Sequence, residues 1–182
     1  MANSDDTLIR AATREDLPAI TAIYADEVEN GSASFETVPP DLAEMTTRFE
    51  TVTGGGFPYI VAERDGQVLG YAYAGAYHKR AAYRFTVEDS VYIDRAARGT
   101  GLGKVLMHAL IERCAQAGFR QMIAIISRSA SSDASIGLHR AVGFVTVGEL
   151  PDVGFKQGEW RGITIMQLAL GAGASAPPPP GR

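Results

Sequence analysis

A chain of 182 residues suits one domain with a substantial core, because a domain near that size buries roughly 70% of the surface its unfolded chain exposes. Its hydrophobic fraction of 46% and charged fraction of 21% are those of a soluble globular protein, and its net charge of −4 gives no electrostatic case for a nucleic-acid or anionic-membrane partner. The single cysteine, Cys114, excludes an intrachain disulfide and a cysteine-held zinc, so no metal is expected and a reducing compartment is favoured. The start MANSDDTLIR lacks the basic and apolar regions of a signal peptide, and no run of eighteen apolar residues offers a membrane span. The expected location is the cytoplasm.

In chain order, Thr7–Ala12 reads as a short opening strand. Thr13 then caps a helix, with Asp16 three residues on, Pro18 in the first turn, and Leu17, Ile20, Ile23, Tyr24 and Val28 at helical spacing. Asn30-Gly31 ends it. Pro39-Pro40 opens a second helix carrying Leu42, Met45, Phe49 and Val52, which Gly54-Gly55-Gly56 stops. Asp65-Gly66 between Tyr59–Glu63 and Gln67–Gly75 is a hairpin signal. A basic and aromatic connection, Ala76–Arg84, precedes a strand in Thr86–Ile93.

That strand runs into Arg98-Gly99-Thr100-Gly101-Leu102-Gly103 and then into an amphipathic helix with Leu102, Val105, Leu106, Ala109, Leu110 and Arg113 on one stripe, apolar but for that one charged position. Gly118 is a C-cap. Met122–Ile126 is an apolar run of the kind a strand buried on both faces shows. Ser131–Val142 fits a helix, and Phe144–Leu150 and Ile163–Leu170 are strands joined by a glycine-rich loop, PDVGFKQGEWRG. Residues 1–170 form one domain, and 171–182, ending APPPPGR, form a low-complexity tail expected to be disordered. The order β-α-α-β-β-β-α-β-α-β-β predicts a mixed α/β sheet of about seven strands with four helices on both faces.

A strand that delivers a glycine turn to a helix N-terminus is a device for holding phosphate, because the first N–H groups of the helix point outward at its positive end. Three such motifs compete for RGTGLGKV. A Walker A loop needs glycine where Arg98 stands and a hydroxyl where Val105 stands. A dinucleotide fingerprint starting at Gly99 needs glycine at Lys104. The pattern [QR]-x-x-G-x-[GA] is matched in full by Arg98 to Gly103.

With that turn, the segments SASFE (Ser32–Glu36), YRFTVEDSVYI (Tyr83–Ile93), ASIGLHRAVGF (Ala134–Phe144) and VGFKQGEW (Val153–Trp160) resemble the GNAT superfamily, in its phosphinothricin and methionine sulfoximine N-acetyltransferase group. The resemblance spans about Leu8 to Leu170. It implies the GNAT acyl-coenzyme A N-acyltransferase fold and acetyl-coenzyme A as cosubstrate. It also implies acetylation of the α-amine of a small amino acid or analogue of the phosphinothricin, methionine sulfoximine or methionine sulfone type.

By the same resemblance, the backbone of Val91, Tyr92 and Ile93 contacts the pantetheine arm. Arg98, Gly99, Thr100, Gly101, Leu102, Gly103 and Lys104 hold the pyrophosphate, and Ser132 and Ser135 sit at cofactor contacts. Ser132 departs from the usual asparagine. Glu88 matches the family's general base. His139 takes the place where many members carry a tyrosine that protonates the departing thiolate, and imidazole titrates in a useful range. Arg80, Tyr83, Phe35 and Lys156 are the substrate-binding candidates, Arg80 as a clamp for an acceptor anion. Gly162 departs from the acidic residue common after Trp160-Arg161.

Cys114 falls in no pattern of an activated thiol, so direct transfer in a ternary complex is expected rather than an acetyl-cysteine. Homodimers are frequent among similar proteins. Two other readings stay open: acetylation of another amine, a protein N-terminus or a polyamine, and a catalytically silent acyl-coenzyme A-binding module. The basic stretch His78-Lys79-Arg80 argues against a polyamine, and the presence of Glu88 beside an intact glycine turn argues against a silent module.

Overall fold

The computed structural model describes residues 7–129 and 132–178. Seven strands form one sheet in the order β1-β2-β3-β4-β5-β7-β6: β1 Leu8–Ala11, β2 Tyr59–Arg64, β3 Gln67–Ala76, β4 Thr86–Ile93, β5 Gln121–Ser127, β6 Val145–Lys156 and β7 Glu159–Ala169. Four helices accompany it: α1 Leu17–Asn30, α2 Leu42–Gly54, α3 Leu102–Gln116 and α4 Ser132–Ala141. This is the mixed sheet expected from the order of elements, with neighbouring strands antiparallel except for β4 and β5.

Alternation on the strands divides the core into two layers. Ile60, Ala62, Ala72, Ala74, Val87, Met122, Ala124 and Met166 face one side, where Leu102, Leu106, Met107 and Leu110 of α3 pack on them. Tyr59, Val61 and Tyr71 face the other and meet Leu17, Ile20 and Tyr24 of α1 and Met45 and Phe49 of α2. Ile60 and Val61, consecutive residues with opposite directions, are both fully buried. Each such side chain contributes about 1.5–3 kcal/mol of hydrophobic stabilisation.

The local signals act much as written. The Asp65-Gly66 turn has positive φ at both residues, +53° and +76°, as a tight twisted hairpin requires. Thr13 and Asp16 form a reciprocal cap, but on a short 3₁₀ turn, Arg14–Asp16, that leads into α1. The second helix begins at Leu42, after the two prolines, because the Asp41 side chain accepts from the Glu44 N–H at 2.8 Å.

The largest difference is after Phe144. The expected glycine-rich loop is strand: β6 and β7 continue to a two-residue turn at Gln157-Gly158, with φ of +55° and +81°. Register shifts between Thr146 and Gly148 and between Leu150 and Gly154 absorb Pro151 and Asp152. Proline is tolerated there because β6 is the sheet's edge. Of the expected helix Ser131–Val142, Ser131 lies outside the described residues. In the tail, Gly173 N–H and Ser175 N–H donate to Leu170 and Ala172 carbonyls, and Pro177 O accepts from Arg120; residues 179–182 lie outside the described residues.

Candidate active site

β4 and β5 pair only over Thr86–Gln121, Val87–Met122 and Glu88–Ile123. Past Glu88 the two parallel strands separate, so Asp89 to Ile93 keep β3 as their only strand partner among the described residues. Val91, Tyr92 and Ile93 therefore border the gap with no strand on that side among the described residues, and an extended ligand with amide groups can add to such an edge.

The glycine turn stands at the open end of this gap. Gly99 and Gly101 have φ of +76° and +86°, in the left-handed region that disfavours side chains. Thr100 Oγ1 donates to the Ala97 carbonyl at 2.8 Å, which fixes the turn. The N–H groups of Thr100, Gly101, Leu102 and Gly103 find no backbone acceptor among the described residues, and Gly101 is the N-cap of α3. Gly103 serves a different need: a Cβ there would meet Leu138 Cδ2 at 3.2 Å, so its absence lets α4 approach α3 closely. Lys104 is exposed beside the turn. Arg98 donates to Ile93 O at 3.2 Å and to the buried Glu27 at 3.0 Å, tying the turn to β4 and α1. A diphosphate-bearing cosubstrate fits this donor set, with outward N–H groups at a helix N-terminus and a cation alongside.

Glu88 is the last β4 residue to pair with β5, so its carboxylate stands where the gap opens. It is half-buried, and burial raises its pKa, with a smaller push from the adjacent Asp89 charge. Asp89 points to the opposite face. There its Oδ2 lies 3.0 Å from His139 Nε2, and His139 Nδ1 lies 2.7 Å from the Ser135 carbonyl. His139 is 3% exposed and packs edge-on against Phe144. A nitrogen facing a carbonyl donates, and one facing a carboxylate donates best as imidazolium. Burial works against that charge, but Asp89 and the Ser135 carbonyl outweigh it and raise the His139 pKa.

Both ring nitrogens of His139 are thus engaged by the protein, an arrangement that binds α4 to β4. Asp89 was not among the residues singled out from the sequence. Its signal was its place in the alternation: next to Glu88 it must face the α3–α4 layer, where a carboxylate requires a partner. Ser132 opens α4, its hydroxyl donating to the Ser129 carbonyl at 2.8 Å, and Ser135 is half-buried one turn on.

Of the substrate-binding candidates, Arg80 and Tyr83 lie exposed on the connection between β3 and β4, where Tyr83 packs against Tyr77 and His78. Phe35 and Lys156 lie together elsewhere. The Phe35 ring occupies the space a Cβ would take at Gly154 of β6. Lys156, 3% exposed, donates to Ser34 O at 2.8 Å, and burial lowers its pKa. These contacts hold the α1–α2 loop against the β6–β7 hairpin. A cavity of about 360 Å³ lies under α2 on the Glu88 side of the sheet, walled by Tyr59, Tyr71, Tyr73, Met45 and Arg48. Cys114 is fully buried in the core under α3.

Residues 9–164 match the acetyltransferase (GNAT) domain family. The chain belongs to the GNAT acetyltransferases. It is 53% identical over 170 residues to a phosphinothricin N-acetyltransferase of Alcaligenes faecalis, covering 93% of this chain and 86% of that one. It is 45% identical to an L-methionine sulfoximine/L-methionine sulfone acetyltransferase of Pseudomonas aeruginosa, over 93% of this chain and 98% of the relative. Among solved structures, a GNAT phosphinothricin acetyltransferase from Sinorhizobium meliloti, determined in complex with acetyl-coenzyme A, superposes with a TM-score of 0.92 at 48% identity, covering 96% of this chain and 94% of that one. This GNAT chain is therefore an N-acetyltransferase with acetyl-coenzyme A as its cosubstrate.

Proposed function

We propose that this GNAT enzyme transfers an acetyl group from acetyl-coenzyme A to the α-amine of a small amino acid or analogue of the phosphinothricin, methionine sulfoximine or methionine sulfone type. The observation that carries this reading is a half-buried carboxylate of raised pKa, Glu88, at the point where β4 and β5 separate. The curated relatives at 53% and 45% identity support the acceptor class.

Val91, Tyr92 and Ile93 would hold the pantetheine arm, and the turn Arg98 to Lys104 the diphosphate, with Ser132 and Ser135 beside them. Bound there, acetyl-coenzyme A would supply a thioester carbonyl for the amine to attack, the C–N bond forming as the C–S bond breaks and coenzyme A departing as its thiolate. An α-ammonium must first lose a proton, and Glu88 accepts it, directly or through one water. Burial, with a smaller push from Asp89, raises the Glu88 pKa and makes it a stronger base than an exposed glutamate. Arg80 pairs with the acceptor's carboxylate or phosphinate oxygens. His139, with both nitrogens engaged, acts on the site by holding α4 and the Asp89 side of β4. The burial of Cys114 favours direct transfer in a ternary complex.

The enzyme works in the cytoplasm in this reading. No helix of the described residues is long and apolar enough to cross a membrane. It also pairs with a second copy through the bare sheet face formed by Ile125, Val145 and Leu150, which are 40%, 62% and 45% exposed. The adjacent Arg128–Glu149 ion pair places both charge signs on that rim, as self-association about a two-fold axis favours.

Thiol release from acetyl-coenzyme A is the test, with phosphinothricin, methionine sulfoximine and methionine sulfone as acceptors. Turnover with at least one is expected, falling about 10²–10⁴-fold in Glu88→Gln. No release above background with all three overturns the acceptor assignment.

A further inference from the structure

β3 contains two glycines within a strand, Gly70 and Gly75, and a strand glycine weakens the sheet unless something requires it. At Gly70 the requirement is packing: a Cβ would meet Ile93 Cδ1 at 2.8 Å and the Tyr92 carbonyl at 2.9 Å. At Gly75 a Cβ meets nothing within 4 Å among the described residues. Nor does the backbone demand glycine. Gly75 is absent from the positive-φ positions, and β3 and β4 keep unbroken register from Gly70–Ile93 to Ala76–Val87. With bulge, backbone strain and protein packing removed, the remaining use of a strand glycine is close approach by a ligand.

The residue directly opposite Gly75 is Glu88. Cross-strand partners share a face, so the space left by Gly75 adjoins the carboxylate. On the other side of Glu88 the β5 partner is Ile123, which is 7% exposed and closes that flank with hydrocarbon. The carboxylate thus has one apolar wall and one open side. The connection bearing Arg80 leaves β3 just beyond, after Ala76.

We propose that Gly75 is a specificity-determining residue of the acetyl transfer: its missing side chain is the opening through which the acceptor's amine reaches Glu88. The inference rests on the reading of Glu88 as the base. Acceptors whose α-carbon carries a side chain and a carboxylate need that clearance, and a side chain at position 75 removes it in proportion to its size.

Gly75→Ala and Gly75→Val test this. The backbone accepts an L side chain at this position, a Cβ meets no described residue within 4 Å, and both residues suit a strand better than glycine, so the melting temperature should stay level or rise. With methionine sulfone, kcat/KM should fall in both, by about tenfold or more in the valine variant, chiefly through acceptor KM, while KM for acetyl-coenzyme A stays unchanged. Glu88 interacts with the titratable groups of Asp89 on β4 and Tyr73 on β3. Neither is altered, so added hydrocarbon at position 75 should move the acid limb of kcat/KM to higher pH. A Gly75→Val enzyme with unchanged kcat/KM for the acceptor overturns the inference; if that variant does not fold, an unchanged Gly75→Ala enzyme overturns it equally. Full turnover in Glu88→Gln overturns the reading beneath it, which the Gly75 variants alone do not.

Discussion

At the scale of single residues, Glu88 and Asp89 show what one step along a strand does. Glu88 stands half-buried where β4 and β5 part, whereas Asp89 faces the helices and is paired with His139 at 3.0 Å. The pair has a measurable consequence. The folded-state pKa of His139 lies above its unfolded value near 6.5, so its contribution to stability is fully present below about pH 6.5 and is lost as pH rises through the folded value. Thermal melts across that window should show wild-type stability declining on the alkaline side, with His139→Ala lacking that decline. At pH 6 the variant should be destabilised by about 3–5 kcal/mol, because Asp89 is left as an unpaired buried charge. Parallel curves for the two proteins would remove the charged pair from the account. Glu88 was legible in the sequence through its setting in TVEDSVYI. Asp89 was not, because adjacent carboxylates look alike until each is assigned a face.

At the scale of elements, the glycine turn was legible because its spacing excluded two other phosphate loops and its φ values bear out the need for glycine at 99 and 101. Gly101→Val forces a β-branched residue to a φ of +86°, which costs about 1–3 kcal/mol. The expected result is an acetyl-coenzyme A KM raised about tenfold or more, with acceptor KM unaffected; an unaltered cosubstrate KM would mean that the turn does not grip the diphosphate. The β6–β7 hairpin was illegible for a related reason. Gly154, Gly162 and Pro151 read as loop residues, yet each has a place in strand. Phe35 fills the space over Gly154, a Cβ at Gly162 would lie 2.6 Å from the Leu150 carbonyl, and Pro151 sits in a register shift on the edge strand. None of those neighbours is close in sequence. The same distance hid the tie of Lys156 to Ser34.

At the scale of the molecule, the order β1-β2-β3-β4-β5-β7-β6 puts β4 and β5, the only parallel pair among the described residues, in the middle of the sheet, with the gap opening between them. Helices α1 and α2 lie over β2, β3 and β4 on one face, and beyond them Ile125, Val145 and Leu150 remain exposed. Sedimentation equilibrium should return a dimer mass for the wild type and a monomer for Val145→Glu, whose exposed position makes the substitution harmless to the fold itself. A monomeric wild type would refute pairing through this face. The pH dependence of kcat/KM for methionine sulfone in the wild type and Glu88→Gln tests most directly whether the carboxylate at the vertex of that gap is the base. The account predicts an acid limb above the ordinary glutamate range in the wild type, and in the variant a turnover reduced about 10²–10⁴-fold, the limb gone and acetyl-coenzyme A binding intact. A variant that keeps both its rate and its acid limb would contradict it.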